Sequence, residues 1–346
     1  NMMGTKEMGQ LPLLPTMGVG SYASPGWFAL FRRQMRDGSI GPDDIREALD
    51  DATRIAVLDQ IEAGIDILTD GELRRQRFVY EMFDCVEGLE RISPGRKLGV
   101  PGYDMAPHFN VVDSIRSPRG FGVVEDFEAL RATAPDRTLK VAIPGPLTLA
   151  MPLRSSGRDI GEVMAEIAVM VSDELTALAK VGARYIQIDE PALPHPPLGL
   201  THGEAAAILN RVVEAFPGRV GVHVCFGNNA GRPMADRRFD RLMSAMEALE
   251  CDQLILEFAN REMAEVELLG PLSAKFDIAA GVIDVKNFHL ETTEEVAGRI
   301  RRCLDYVPTE KLSITGDCGF SALPRYLARQ KMRAMVAGAR TVRESL

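Results

Sequence analysis

The sequence contains no apolar run that approaches the ~20 residues needed to cross a bilayer as a helix. Its first ten residues, NMMGTKEMGQ, lack the charged and then apolar layout of a secretory signal, so the cytoplasm is the expected compartment. A net positive charge is also lacking. The formal net charge is −9, whereas nucleic-acid phosphates are bound by clustered Lys and Arg. The sequence therefore predicts no membrane and no nucleic acid among the partners.

Cysteine is scarce, with five residues in a chain of 346, and their spacing forms no small-domain disulfide pattern. In a cytosolic chain of this size, cysteines are buried hydrophobes, metal ligands or nucleophiles. Their surroundings must decide which. Apolar residues make up 46% of the chain and charged residues 26%, a balance typical of a globular protein with a full core.

The sequence lacks a Ser/Gly-rich or Pro-rich linker, a low-complexity tract and a short repeat. Short β-rich runs instead alternate with helical patterns, which indicates a parallel sheet covered by helices. The predicted strands are 15–22, 66–72, 139–146, 185–193, 220–227, 253–259, 278–286 and 312–319. The predicted helices are 43–63, 77–90, 158–181, 203–216, 235–249, a short one from Arg261, 292–305 and 323–343.

Eight strands are the number that closes a (β/α)8 TIM barrel, so we expect a single α/β barrel domain over residues 10–346. Residues 91–138 break the rhythm and are rich in Gly and Pro. They predict an inserted excursion, such as a hairpin, after the second β/α unit and beside the barrel mouth. A doubly wound open sheet is the rival fold, but the early GVGS lacks the later glycines of a dinucleotide-binding fingerprint.

Polar side chains recur where the predicted strands end. In a barrel of this kind the active site is built at the carboxyl ends of the strands, and scattered surface residues would not keep a common phase. The residues in this position are Ser21, Glu72, Asp189, Glu190, His223, Cys225, Glu257, Asp284, Lys286, Asp317 and Cys318.

The sharpest signal is the pair His223 and Cys225, which share one face of a predicted strand. Imidazole and thiolate together are typical zinc ligands, and zinc takes four ligands in a tetrahedron. Glu257 and Cys318 end other strands and can converge on the same point. The alternative is a satisfied core histidine beside two buried cysteines. Because independent burial does not predict a common location, the set favours a zinc site.

The chain resembles the catalytic barrel of the cobalamin-independent methionine synthase family, within the superfamily shared with uroporphyrinogen decarboxylase. The resemblance covers nearly the whole chain. It rests on the ordered blocks GVGSY, TDGE, PGPLT, IQIDEPAL, HVCFGN, LEFAN, GVIDVK and GDCG. It implies a zinc-dependent transfer of a methyl group to the thiol of homocysteine, a reaction of amino-acid biosynthesis.

The resemblance also implies roles for individual residues. The zinc ligands of the family correspond to His223, Cys225, Glu257 and Cys318. Carboxylates corresponding to Glu72 and Asp189 lie near the amino group of homocysteine, and the positions of Gly20 and Ser21 lie near its carboxylate. Glu257 is our candidate for the ligand that loosens when the substrate sulfur arrives.

The methyl donor is left open by two departures from the family. Its full-length members carry a second barrel that helps to bind a polyglutamylated folate, and they place a Trp on the pterin about where this chain has Pro152. Methyl-tetrahydrofolate and a methyl-corrinoid, free or bound to a protein, are both candidate donors.

Lys286 stands about where the full-length enzymes have a His, beside Asp284. We expect Lys286 either to bind an anionic group of the substrate or donor, or to pair with Asp284. A zinc-dependent alkyltransferase of another thiol, such as coenzyme M in epoxide opening, is therefore an alternative function. A non-catalytic barrel with a structural zinc is a second one. Arg74, Arg75 and Arg77 follow the second predicted strand on the active-site side and are interpreted as a solvated helix start, the alternative being that they bind an anionic donor or a partner protein.

Overall fold

A computed structural model describes residues 11–75, 81–93, 107–228 and 233–346. Its strands are β1 (Ile67–Leu68), β2 (Glu87–Ile92), β3 (His108–Arg116), β4 (Thr138–Leu139), β5 (Val141–Pro144), β6 (Leu153–Arg154), β7 (Tyr185–Asp189), β8 (Arg219–Val224), β9 (Gln253–Glu257), β10 (Asp277–Ile283) and β11 (Leu312–Gly316). Its α-helices are α1 (Gly26–Arg36), α2 (Pro42–Ala63), α3 (Val123–Thr133), α4 (Pro146–Ala150), α5 (Ile160–Lys180), α6 (His202–Glu214), α7 (Met243–Glu247), α8 (Leu269–Lys275), α9 (Thr293–Leu304) and α10 (Arg325–Arg343).

The parallel strands form a ring. Six of them pair in the order β5-β7-β8-β9-β10-β11, and β1 pairs with β4, which only Lys140 separates from β5. Parallel bridges from Met17 to Ile67 and from Thr16 to Ile314 join the two ends of this array. The α/β barrel predicted from the sequence is therefore confirmed, although its first strand is reduced to these two bridges.

The pattern of burial explains why these segments form strands. Every residue of β7, β9 and β11 is buried, as expected for strands covered by helices outside and packed side chains inside. Helix starts follow local sequence. Asp159 accepts from the backbone of Glu162 at the start of α5, and capping boxes begin α6 and α9. A small cluster fills the barrel: Met17, Val19, Ile67, Tyr185, Ile255 and Ala279.

Two predicted helices differ from the structure. In place of 77–90, the described residues form a single 3-10 turn at Met82–Cys85 and the strand β2. The helix predicted over 235–249 is reduced to a 3-10 turn and the five residues of α7. Both stretches contain helix-compatible residues, but pairing of β2 with β3 outweighs local propensity in the first.

The excursion contains an antiparallel hairpin of β2 and β3, with β6 added in parallel to β3. The hairpin begins at Glu87, before the predicted boundary at 91, and residues 94–106 lie outside the described part. The limits 91–138 and the single domain over 10–346 stay predictions. Among the helices of the described residues, none is both long and apolar enough to cross a membrane.

Asp59 in α2 joins the first barrel segment to the last helix. Its buried carboxylate accepts hydrogen bonds from the Tyr22 hydroxyl at 2.9 Å and from two nitrogens of Arg325 at 2.6 and 2.7 Å. Removing the carboxylate leaves a buried hydroxyl and a partly exposed guanidinium without their acceptor. Hydrogen bonds to a buried charge are worth more than neutral ones.

We therefore expect Asp59→Ala to lower the free energy of unfolding by about 2–3 kcal/mol, measured by urea denaturation. Asp51→Ala on the same helix is the control, because Asp51 pairs with Arg54 and both side chains are exposed. Its expected effect is below about 0.5 kcal/mol. Equal losses in the two variants would contradict the anchoring role of Asp59.

Candidate metal and substrate site

The carboxyl ends of neighbouring strands bring the candidate residues together. Asp189 is the last residue of β7 and pairs in register with His223 of β8. Glu257 is the last residue of β9, and Cys318 follows β11 by two residues. Because all strands of a closed parallel ring point the same way, side chains at their carboxyl ends lie at one end of the barrel, as the sequence predicted.

Three metal-binding side chains converge there. One ligand atom each from His223, Cys225 and Cys318 lies within 4.8 Å of the others. Among the described residues, the buried Nε2 atom of His223 has no hydrogen-bond partner, while its Nδ1 atom lies 2.9 Å from Oδ1 of Asp189. An imidazole nitrogen and two sulfurs form a donor set that zinc prefers. The residues present therefore fit a zinc ion.

The electrostatics of this cluster favour a cation. A hydrogen bond from Cys318 and the neighbouring imidazole of His223 hold the pKa of the Cys225 thiol well below its usual value, against the effect of burial. The same hydrogen bond and burial raise the pKa of the Cys318 thiol. Burial lowers the pKa of His223, but the Cys225 thiolate and Asp189 raise it to about 10. A metal ion bound here would take the place of a proton, because metal-ligating thiols and imidazoles bind in their deprotonated forms.

Glu257 lies outside this group of three and is held by Lys286. The Lys286 Nζ atom lies 2.5 Å from Oε2 of Glu257, and both side chains are buried. Oε1 of Glu257 is buried and has no hydrogen-bond partner in the part of the chain that the structure describes. Lys286 thus pairs with Glu257 and not with the carboxylate of Asp284, which accepts from the backbone N–H of Lys286 at 2.8 Å.

A cavity of about 400 Å³ opens beside the metal cluster. His223, Cys225 and Cys318 form part of its wall. Among the other predicted site residues, Ser21, Glu72 and Asp189 line it, whereas Gly20, Glu257, Asp284 and Lys286 do not. The cavity therefore places the carboxylates of Glu72 and Asp189 and the hydroxyl of Ser21 within reach of a molecule whose other end meets the metal cluster, and Arg32 and Arg75 also line it.

Glu72 is held in an unusual conformation at the cavity wall. Its φ angle of 55° lies in the left-handed region, which costs energy for a non-glycine residue and often marks a binding site. Burial raises the pKa of Glu72 to about 8, Arg75 opposes the shift from 3.7 Å, and Asp189 adds to it. The carboxylate is therefore a strong acceptor that gains from a cationic partner.

Two arginines differ from their sequence-based interpretation as a solvated helix start. The side chains of Arg74 and Arg75 are only 16% and 8% exposed, and both pair with Asp126 of α3. Arg75 also donates to the carbonyl of Ala142 at 2.6 Å. The interpretation was wrong because α3, which follows the hairpin, supplies a buried carboxylate that no local pattern announces. Arg77 lies outside the described residues.

Sequence reasoning also missed Asn228, which lines the cavity. Its side-chain amide donates to the carbonyl of Gly319 at 3.0 Å, so it connects the loop after Cys225 to the loop of Cys318. The only available signal was its position three residues after Cys225 in HVCFGN. The contact keeps the two cysteine loops together across the mouth.

Gly20 allows the close approach of Glu72. A methyl group at position 20 would lie 2.1 Å from Oε1 of Glu72 and 3.1 Å from Cβ of Ala142. We expect Gly20→Ala to displace the Glu72 carboxylate and to cost about 1–3 kcal/mol of unfolding free energy, as overpacking does. A crystal structure and urea denaturation of the variant would measure both effects.

Gly18→Ala is the matched control on the same segment, because its added methyl meets nothing closer than 3.8 Å. We expect it to change stability by less than about 0.5 kcal/mol. A Gly20→Ala protein as stable as the Gly18→Ala protein, with Glu72 unmoved, would contradict the tight packing described above.

The whole barrel matches a known family. A family profile described as "Cobalamin-independent synthase, Catalytic domain" matches residues 14–341. A methionine synthase of Saccharolobus solfataricus is 32% identical over 342 residues, which cover 98% of this chain and 98% of that relative. A methionine synthase of Pyrococcus abyssi is also 32% identical, over 97% of this chain and 95% of the relative.

Solved structures agree with this match. A B12-independent methionine synthase of Shewanella sp. W3-18-1, determined in complex with selenomethionine, is 27% identical with a TM-score of 0.80, over 96% of this chain and 98% of that one. A putative B12-independent methionine synthase of Listeria monocytogenes is 19% identical with a TM-score of 0.70, over 96% and 99% of the two chains, and supports the fold alone.

The family profile spans nearly all of the barrel, and both curated relatives match over almost their full length. The resemblance found in the ordered sequence blocks is thereby confirmed. This chain belongs to the cobalamin-independent methionine synthase family, a family of methyltransferases.

Proposed function

We propose that this protein is a zinc-dependent methyltransferase that methylates the thiol of homocysteine to form methionine. The observation that carries the proposal is the convergence of His223, Cys225 and Cys318 at the wall of a cavity that Glu72 and Asp189 also line. The names of the relatives support the same reaction.

The ligands proposed for zinc are His223, Cys225, Cys318 and Glu257. Lys286 holds Oε2 of Glu257, which leaves the unpartnered Oε1 as the oxygen able to act as the fourth ligand. A zinc ion bound there would lower the pKa of a bound thiol and so supply a thiolate at neutral pH. Because a carboxylate is the hardest donor of the set, Glu257 is the ligand we expect a substrate sulfur to replace.

The chain's own residues orient the acceptor. Glu72 and Asp189 are buried carboxylates on the cavity wall and are proposed to bind the ammonium group of homocysteine. The hydroxyl of Ser21 and the backbone beside Gly20 are proposed to bind its carboxylate. The Shewanella relative was solved with selenomethionine, an amino acid with the same backbone as the proposed product. Held in this way, the thiol of homocysteine faces the two cysteines.

Methyl transfer then needs only alignment with a donor. The carbon–sulfur bond forms as the bond between the methyl group and the donor's nitrogen or cobalt breaks. We propose methyl-tetrahydrofolate or a methyl-corrinoid as the donor class. The carboxylate of Asp284 accepts a hydrogen bond from the backbone N–H of Lys286. We propose that this contact keeps the side chain of Lys286 directed at Glu257.

The alternative acceptor, an anionic thiol such as coenzyme M, loses its main support. Lys286 was the cation proposed to attract an anionic group, but its ammonium is bound to Glu257 and does not line the cavity. Glu72 and Asp189 on the cavity wall attract an ammonium. Of the two arginines on the same wall, Arg75 is paired with Glu72 and Asp126, and Arg32 donates to backbone carbonyls. A structural zinc site would be closed by four strong donors, whereas this cluster borders an open cavity.

The direct test is methyl transfer by zinc-loaded protein with each acceptor. Methyl-tetrahydrofolate and methylcobalamin are offered as donors, and homocysteine and coenzyme M as acceptors. We expect methionine to form with at least one donor, no comparable methylation of coenzyme M, and loss of activity after chelation that zinc restores. Preferential methylation of coenzyme M, or activity that survives removal of zinc, would overturn the proposal.

The proposed ammonium site gives a second prediction. We expect Glu72→Gln to raise the KM for homocysteine at least about 30-fold, because a buried charge pair is worth about 2 kcal/mol or more. Glu250→Gln is the control, since this exposed carboxylate pairs with Lys275 on the surface, away from the cavity. An unchanged KM in the Glu72 variant would show that the substrate ammonium binds elsewhere.

A further inference from the structure

A fully buried lysine lies at the centre of the barrel. Lys140, between β4 and β5, is 0% exposed. Its ammonium donates to the carbonyl of Gly18 at 2.7 Å and to the side-chain oxygen of Gln187. An ammonium away from water is costly unless it is bonded and its charge is balanced. Burial lowers the pKa of Lys140 to about 7, and the charges of the buried carboxylates of Asp189 and Glu72 oppose this shift.

The contact with Lys140 decides the orientation of Gln187. An ammonium has donors and no acceptor, so only the amide oxygen of Gln187 can face it. The amide nitrogen must then point the other way, where it donates to Oδ1 of Asp189 at 2.6 Å. Gln187 is itself fully buried and lies two residues before Asp189 on β7.

Asp189 connects Gln187 to His223 by a second hydrogen bond. Its Oδ1 atom, already bound by Gln187, lies 2.9 Å from Nδ1 of His223. A carboxylate oxygen accepts a hydrogen bond, so the proton of a neutral His223 ring is on Nδ1. The lone pair on Nε2 is then available to bind a metal ion. That Nε2 atom is the buried one without a hydrogen-bond partner beside the two cysteines.

We infer that Lys140 and Gln187 are positioning residues that fix the imidazole of His223 with Nδ1 protonated and Nε2 directed at the metal. The inference rests on the proposed zinc site. Outer hydrogen-bond partners of a ligating histidine commonly tune metal affinity in this way. The same ammonium holds the backbone of Gly18, two residues before Gly20, so one cation aligns the metal end and the amino-acid end of the site.

A purely structural role for Lys140 predicts different behaviour. Filling the barrel interior would make Lys140→Met change stability without changing the state of His223. A chain of hydrogen bonds instead predicts that Lys140→Met and Gln187→Met have the same effect on zinc binding. It also predicts that the double variant is no worse than either single one, because the second substitution removes a contact that the first has already disabled.

The test compares these three variants with the wild-type protein by zinc competition against a chelator. We expect the zinc dissociation constant to rise about 10–100-fold in each. The second measurement is NMR of protein labelled with ¹⁵N-histidine, which is feasible because the chain has only five histidines. The wild-type protein should show a slowly exchanging, downfield Nδ1 proton of His223, and the variants should lose it.

Lys311→Met is the control, because the Lys311 ammonium also donates to a backbone carbonyl, that of Ser273 at 2.7 Å, but Lys311 precedes β11 and lies at the opposite end of the barrel from the site. We expect it to lower stability while leaving zinc affinity and the His223 signal as in the wild-type protein. Unchanged zinc affinity and an unchanged Nδ1 signal in the Lys140 and Gln187 variants would overturn the inference. The NMR comparison also works without metal, so it judges this inference even if the wild-type protein were to bind no zinc and the proposed function failed.

Discussion

Closure of the parallel ring is the constraint on which the rest of the structure depends. The bridges from Thr16 to Ile314 and from Met17 to Ile67 bring the first segment of the chain between the last strand and the second. Ser21 and Gly20 follow these bridges directly, and Cys318 follows the strand on their other side. Without closure, Glu72, which follows β1, and Cys318, which follows β11, would lie at opposite edges of an open sheet.

A second constraint is charge inside the ring. The strand ends carry several buried carboxylates and two thiols, and three of the carboxylates have a cation within reach. Arg75 pairs with Glu72, and Lys286 pairs with Glu257. Lys140 is connected to Asp189 by hydrogen bonds through Gln187. These cations leave particular atoms unpartnered, namely Nε2 of His223 and Oε1 of Glu257. Such atoms are costly in a buried site and are the ones we assign to the metal.

Much of this arrangement could be predicted from the sequence. Alternation of apolar runs and helical patterns predicted the barrel, and the phase of polar residues at strand ends predicted the convergence of His223, Cys225 and Cys318. Both predictions succeed because strand periodicity and barrel closure are repeated, near-regular features. The weak first strand was overestimated, since a run of apolar residues does not say how much of it pairs.

What the sequence could not predict depends on contacts between distant segments. The burial of Arg75 follows from Asp126, some fifty residues away on a helix beyond the hairpin. The pairing of Lys286 with Glu257, and not with the neighbouring Asp284, follows from the register of adjacent strands. The burial of Lys140 could not be predicted, because a lysine at the end of a predicted strand is expected to be exposed unless the closed ring is known to surround it.

The measurement that tests the central claim most directly is zinc X-ray absorption on the zinc-loaded protein, before and after homocysteine is added. The account predicts one retained zinc per chain, with two sulfur ligands from Cys225 and Cys318, completed by nitrogen and oxygen. Homocysteine should then add a third sulfur and remove an oxygen, with release of a proton. Failure to retain zinc, or a sulfur count that homocysteine does not change, would contradict it.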